Sequence, residues 1–265
     1  MRADARLAAL RALLVQASPR PRDVGANVAW AAERVRDAAD ADLVVFPELF
    51  LSGYQTHDLD QIALEPDDDR LEPLRRAARG SSSAVIVGAP ERTATGVSNS
   101  ALCFDVDGER AGSYRKTHLF GDELAAFEPG EELAPIELCG RRLGIEICFD
   151  MEFPEVARTL RLAGAEMLVT ISANMEPFAA DHAVYARARA LENGMPHLYV
   201  NRCGVEAELR FTGASVAIDP DGRELAGAGA GEEMLSVSIG QLQREDPRER
   251  CTEQRRAELY RGWSG

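Results

Sequence analysis

The chain has 265 residues, with 30 Lys and Arg against 44 Asp and Glu, a formal net charge of −14 and 45% hydrophobic residues. That length allows a large core, and α/β layers of this size often form one domain. The acidic balance, relieved by no run of Lys and Arg, argues against nucleic acid and membrane as partners, and no eighteen apolar residues follow one another as a spanning helix requires.

The opening Met1-Arg2-Ala3-Asp4-Ala5-Arg6-Leu7 has neither the apolar core nor the small-residue cleavage site of a signal peptide, so a cytoplasmic location is expected. Residues 10–17 read as a first strand, broken by Ser18-Pro19-Arg20-Pro21 before an amphipathic helix over 24–39. Leu43-Val44-Val45-Phe46 is a short continuous apolar run, the pattern of a strand covered on both faces, and it stops at Pro47-Glu48. Charged residues over 58–79 predict a solvated helical region interrupted by Pro66 and Pro73, followed by a strand over 84–88. Asp107-Gly108 is a hairpin turn between strands over 100–106 and 109–114.

Beyond the hairpin lie Arg115-Lys116-Thr117-His118-Leu119-Phe120-Gly121 and an acidic segment over 122–132. A buried strand over 143–147 stops at Cys148, and Phe153-Pro154-Glu155 opens a helix reaching 163 with proline in its first turn. The pattern continues with a strand over 167–171, a helix over 181–192, and a strand over 197–201. A strand over 212–218 pairs through Asp219-Pro220-Asp221-Gly222 with the segment after it, and a last strand covers 234–239. The charged tail over 241–263 is predicted helical and is expected to pack on a neighbouring subunit. No composition break, repeat or linker divides the chain, which predicts a single domain over 1–265 of mixed strands sandwiched by helices.

Cys103, Cys139, Cys148, Cys203 and Cys251 are odd in number and form no C-x-x-C pair, and His57, His118, His182 and His197 show no H-x-x-x-H spacing. Neither a disulfide framework nor a metal site is expected. Three apolar strands end on a reactive side chain: Glu48, Lys116 and Cys148. Strand ends are where layered α/β folds build their sites. A thiol at a strand-to-helix turn is held rigidly beside free backbone N–H groups, as a nucleophile that generates an oxyanion requires. Taken singly, Cys148 reads first as a small buried hydrophobe, and Glu48 and Lys116 as surface charges; it is the ordered set of three that points to a site. Glu146 shares the strand parity of Cys148, which points it toward the layer of the site, in a structural or supporting role.

Phe46-Pro47-Glu48-Leu49 with Ser52-Gly53-Tyr54, then Arg115-Lys116-Thr117-His118-Leu119-Phe120, then Glu146-Ile147-Cys148-Phe149-Asp150 resemble, in order, the three signatures of the nitrilase superfamily of carbon–nitrogen hydrolases. The likeness continues through Ser172-Ala173-Asn174, the run over 187–194, Asn201-Arg202-Cys203-Gly204 and Phe211-Thr212-Gly213-Ala214-Ser215. The resemblance implies a four-layer αββα sandwich with mixed sheets, dimerising or assembling further, with the tail and Trp263 serving that contact. It implies a cofactor-free thiol hydrolase of a small linear amide. Cys148 is then the nucleophile, Glu48 the base, and Lys116 with the Phe149 N–H the oxyanion donors. Glu123, four residues before Phe127, fits the second glutamate that orients Lys116, with Asp122 and Glu128 as alternatives. Tyr54, Phe149 and Asn174 are expected to line the substrate pocket, whose walls come from loops over 55–64 and 175–181, and His118 is expected to pack. Arg202 or Arg210 is the candidate clamp for a carboxylated substrate. A nitrilase or a carbamoylase on the same residues is the alternative enzyme; loss of Glu, Lys or Cys, the mark of a non-catalytic member, is not seen.

Overall fold

A computed structural model describes residues 9–38 and 40–260. The first half runs β1 (Leu10–Gln16), α1 (Val24–Asp37), β2 (Leu43–Val45), α2 (Glu72–Ser81), β3 (Ala84–Arg92), β4 (Val97–Phe104) and β5 (Arg110–Arg115). The second runs α3 (Glu123–Ala126), β6 (Ile136–Leu138), β7 (Arg141–Ile147), α4 (Pro154–Leu162), β8 (Met167–Ser172), α5 (Ala179–Asn193) and β9 (His197–Asn201). It closes with β10 (Cys203–Glu206), β11 (Leu209–Thr212), β12 (Val216–Ile218), β13 (Glu224–Gly227) and β14 (Glu233–Ile239).

Two six-stranded sheets form, in the orders β14-β1-β2-β3-β4-β5 and β13-β12-β9-β8-β7-β6, and β10 pairs with β11 in a ribbon. Each sheet is mixed: β1, β2 and β3 are parallel, as are β7, β8 and β9, with antiparallel strands at the edges. Strand alternation sets the layers. Leu13, Val15, Val44 and Val85 pack outward onto Val28, Ala31 and Val35 of α1 and Leu74 and Ala78 of α2. Their neighbours Leu14, Leu43, Val45 and Ile86 face Ile145, Ile147, Val169 and Leu198 of the second sheet. The outer face of that sheet is covered by Val156 and Leu160 of α4 over Leu168, and by Ala186 and Ala190 of α5 over Tyr199. The result is the expected four-layer αββα sandwich. Burying each such aliphatic side chain contributes about 1.5–3 kcal/mol.

Three expectations need correction. The region before β3 is helical only from Glu72, because Pro73 opens α2, where its missing N–H costs nothing, and short 3-10 turns precede it. The predicted strand over 212–218 is divided: Gly213 (φ +61°) and Ala214 (φ +58°) turn the chain, so β11 folds back on β10 while β12 joins β9 and β13. The tail holds no α-helix among its described residues, only 3-10 turns at Pro247–Glu249 and Ala257–Tyr260. Its side chains satisfy each other locally, as in Arg248–Asp246 at 2.6 Å, and Arg244 ties it back to Asp221 at 3.0 Å. Trp263 and the segment over 1–7 lie outside the described residues. Among the described residues no helix is long and apolar enough to cross a membrane.

Candidate active site

Glu48 stands three residues beyond Val45, the last residue of β2 that pairs with β3, and Leu49 after it adopts φ +49°. The turn lies so close to β3 that a Cβ on Gly88 would come 2.6 Å from Glu48 Cα and 2.3 Å from Leu49 N. Gly88 is therefore required by close approach. The fully buried Glu48 carboxylate accepts from Asn99 Nδ2 and Lys116 Nζ on Oε1, each at 2.7 Å, and from the Ala173 N–H on Oε2 at 2.7 Å. Lys116 follows β5 directly, its N–H held by the Asn99 carbonyl at 2.8 Å. Its ammonium lies 2.8 Å from Glu123 Oε2 and 3.0 Å from Oε1. Glu123, buried at the start of α3, also accepts from Tyr54 Oη at 2.9 Å and the Phe120 N–H at 3.0 Å.

Cys148 ends the buried run of β7 and begins a 3-10 turn that reaches Glu152. Its φ of +48° is uncommon for a side-chain-bearing residue, and such strain costs on the order of 1–3 kcal/mol. Two consequences follow. The side chain leaves the strand's alternation, and the N–H groups of the turn have no preceding helical carbonyl to bond. The parity argument for Glu146 fails for the same reason. Glu146 is buried apart from Glu48 and Glu123, accepting from Thr170 Oγ1 at 3.0 Å in a network that continues to His197 Nε2 at 2.7 Å. Burial pushes it up to about 8.

The charges around the thiol explain each other. Burial, and then the charge of Glu48, push the Cys148 thiol well above its ordinary value, against the pull of Lys116. Burial likewise raises Glu48, with Lys116 opposing and Glu123 reinforcing the rise. Burial works against the charge of Lys116, but Glu48 and Glu123 outweigh it and hold the ammonium protonated. The resting arrangement is a neutral thiol beside a proton-hungry carboxylate and a fixed positive charge.

Asp150 joins the Lys116 and Cys148 segments. It accepts from the Thr117 hydroxyl at 2.7 Å, the Thr117 and His118 N–H groups at 3.2 and 2.8 Å, Tyr114 Oη at 2.8 Å and the Ile147 N–H at 3.1 Å. His118 packs as expected, stacked on Phe153 at 3.9 Å between ring centroids. Asp150→Asn keeps the size but turns an NH2 toward donors, leaving buried N–H or O–H groups unpaired. A loss of about 2–3 kcal/mol in stability and a 10- to 100-fold fall in kcat are expected, read by thermal unfolding and steady-state rates. Unchanged midpoint and rate would refute the clamp.

Tyr54, Lys116, Phe120, Cys148, Phe149 and Asn174 line one cavity of about 20 Å³, together with Met175 and Phe178 from the 175–181 loop. The larger cavities, of about 810, 530 and 400 Å³, contain none of Glu48, Lys116 or Cys148. Beyond Tyr54 the loop over 55–64 does not line the cavity, and Gln55 instead donates to Glu206 at 2.6 Å. Of the two alternatives to Glu123, Asp122 is exposed and Glu128 accepts from Thr93 and Thr95 at 2.7 Å each. The suggested carboxylate clamps are also corrected. Arg202 is buried, paired with Glu206 at 2.9 Å and stacked on Phe211 at 3.8 Å, while Arg210 is exposed beside Glu176. Sequence reasoning missed Asn99, the Ala173 N–H, Asp150 and Glu152. Only Asn99 left a signal, in the polar Ser98-Asn99-Ser100 inside an otherwise apolar strand. Among the described residues no group of three or more His, Cys, Asp or Glu is arranged to hold a metal ion.

The chain resembles known proteins over most of its length. The family model described as carbon-nitrogen hydrolase matches residues 11–250. A hydrolase of Pseudomonas protegens is 40% identical over 261 residues, covering 95% of this chain and 90% of its own. An (R)-stereoselective amidase of a Pseudomonas species is 36% identical over 234 residues, covering 86% of this chain and 85% of its own. A solved amidase of Nesterenkonia sp. AN1, a cysteine-to-alanine mutant in complex with butyramide, superposes with a TM-score of 0.85 at 31% identity, covering 97% of this chain and 98% of its own. With the match spanning nearly the whole sandwich and the strand ends that carry Glu48, Lys116 and Cys148, the chain belongs to the carbon-nitrogen hydrolase family.

Proposed function

We propose that the protein hydrolyses a small linear amide to a carboxylate and ammonia through a thioester on Cys148. The observation that carries this reading is the buried set of Glu48, Lys116 and Glu123 gathered beside the half-buried Cys148 at the ends of three strands. The likeness to named amidases supports it.

An amide carbonyl is a poor electrophile, so the site must supply a nucleophile, hold the oxyanion and protonate the leaving nitrogen. Glu48 takes the thiol proton as sulfur attacks the carbonyl carbon. The C–O electron pair moves onto oxygen, which Lys116 Nζ and the Phe149 N–H stabilise. The pair returns, the C–N bond breaks, and Glu48 gives its proton to nitrogen, releasing ammonia. A water then loses a proton to Glu48, its oxygen attacks the thioester, and collapse breaks the C–S bond and frees the carboxylic acid, which ionises in water, while the Glu48 proton returns to sulfur. Glu123 keeps Lys116 in place and, with Tyr54, forms the wall beside it.

Ammonia release from short aliphatic amides, ω-amides, amino-acid amides, nitriles and N-carbamoyl amino acids tests the reading. Turnover of one amide class is expected. Turnover confined to nitriles or to carbamoyl compounds would replace it by the corresponding activity.

A further inference from the structure

Glu152 closes the 3-10 turn that Cys148 opens and lines the same cavity, so its position relative to the nucleophile is set by a single turn. Its side chain is 28% exposed, and its ion-pair contact among the described residues is His182 Nε2 at 3.4 Å. Burial pushes His182 down to about 4, so that ring is neutral at pH 7. The nearby Arg189 guanidinium is occupied elsewhere, donating to the Met151 carbonyl at 2.8 Å, the Glu152 carbonyl at 3.1 Å and Glu192 at 3.0 Å. Lys116, the cation lining the cavity among the described residues, is held by Glu48 and Glu123. Three carboxylates thus face one ammonium, and Asp181 at the start of α5 adds its charge near Glu152.

We propose that the substrate is an amide whose short acyl chain carries an ammonium group, and that Glu152 is the counter-ion that selects it. This deepens, and rests on, the amidase reading. A carboxylated chain would enter a net-negative cavity with no uncommitted cation to receive it. An ammonium would meet Glu152 in a cavity that Phe120, Phe149 and Phe178 also line, and carboxylates and aromatic rings both attract cations. The cavity is small, about 20 Å³, which favours a short acyl chain over a long one. Burial first, and then Asp181, raise the proton affinity of Glu152, against the pull of Arg189 and Lys116. A cation seated there relieves that repulsion.

The test compares kcat/KM for β-alaninamide, its uncharged isostere butyramide, and succinamate, in the unmutated protein and in Glu152→Gln and Glu152→Asp. The expected order is β-alaninamide, then butyramide, then succinamate. Glu152→Gln is expected to lower the β-alaninamide to butyramide ratio about 10- to 100-fold, the range of a hydrogen bond to a charged group, and Glu152→Asp to keep part of the preference. Succinamate preferred by the unmutated protein, or a ratio that Glu152→Gln leaves unmoved, overturns the proposal while butyramide turnover keeps the amidase reading intact. Ammonia from none of the three while another amide is turned over overturns this proposal alone, and ammonia from no amide overturns both.

Discussion

Cys148→Ala is expected to lower kcat for amide hydrolysis by about 10⁴-fold or more while the fold persists. Without the sulfur no thioester forms, and the reaction falls back on water activated by Glu48 with the oxyanion beside Lys116. Stability changes little, because alanine meets the same left-handed backbone strain at φ +48° and only one half-buried sulfur is lost. A shift of no more than about 2–4 °C in the unfolding midpoint is expected. Ammonia release and the intact mass of the protein caught with a slow amide provide the check. The acyl adduct should appear in the unmutated protein and be absent from the variant. Turnover that survives the substitution would refute the thioester route.

Glu48→Gln should cost about 10³-fold in kcat, because proton transfer by a positioned carboxylate is needed in both halves of the reaction and contributes about 10²- to 10⁴-fold. The glutamine keeps the shape but not the acceptor capacity. If its oxygen faces Lys116 and Asn99, its NH2 opposes the Ala173 N–H, leaving that donor unpaired at a cost of about 1–3 kcal/mol. The pH profile gives the sharper signature. The reactive form of Glu48 is the carboxylate, so the rate falls as pH drops through its pKa. Burial raises that pKa, so the acid limb of kcat/KM should lie above the ordinary glutamate value of about 4.3. The residual rate of Glu48→Gln should lack that limb. A limb at or below the ordinary value, or one that survives in the glutamine variant, would remove Glu48 from the base role.

The parts of this protein that could be read in its sequence are those whose cause is local. The continuous apolar runs before Glu48 and Cys148 are strands because both faces are covered, and such runs carry their own signature. Asp107-Gly108 turns the β4–β5 hairpin, and Pro154 opens α4, for reasons confined to a few residues. The divided segment over 212–218 was illegible because two consecutive positive-φ residues, one of them alanine, carry no clear pattern. The tail misled because charge and length resemble a solvated helix, whereas its side chains bond locally and pull it back onto Asp221.

At the site the division is sharper. The sequence alone singled out the three strand-end residues Glu48, Lys116 and Cys148, since each stands where an apolar run stops. Only the tertiary structure decided what surrounds them. Glu48 meets Lys116, Asn99 and Ala173 across 68, 51 and 125 residues of chain, and Tyr54 reaches Glu123 across 69. Asp150 ties the Cys148 turn to the Lys116 segment across 33 residues, and Glu152 reaches the cavity only because Cys148 turns the chain out of the strand. Periodicity records which face of a strand is buried, a property of neighbours in sequence. Which buried groups meet depends on sheet order, register and the approach of two sheets, and those are settled only when the whole core packs.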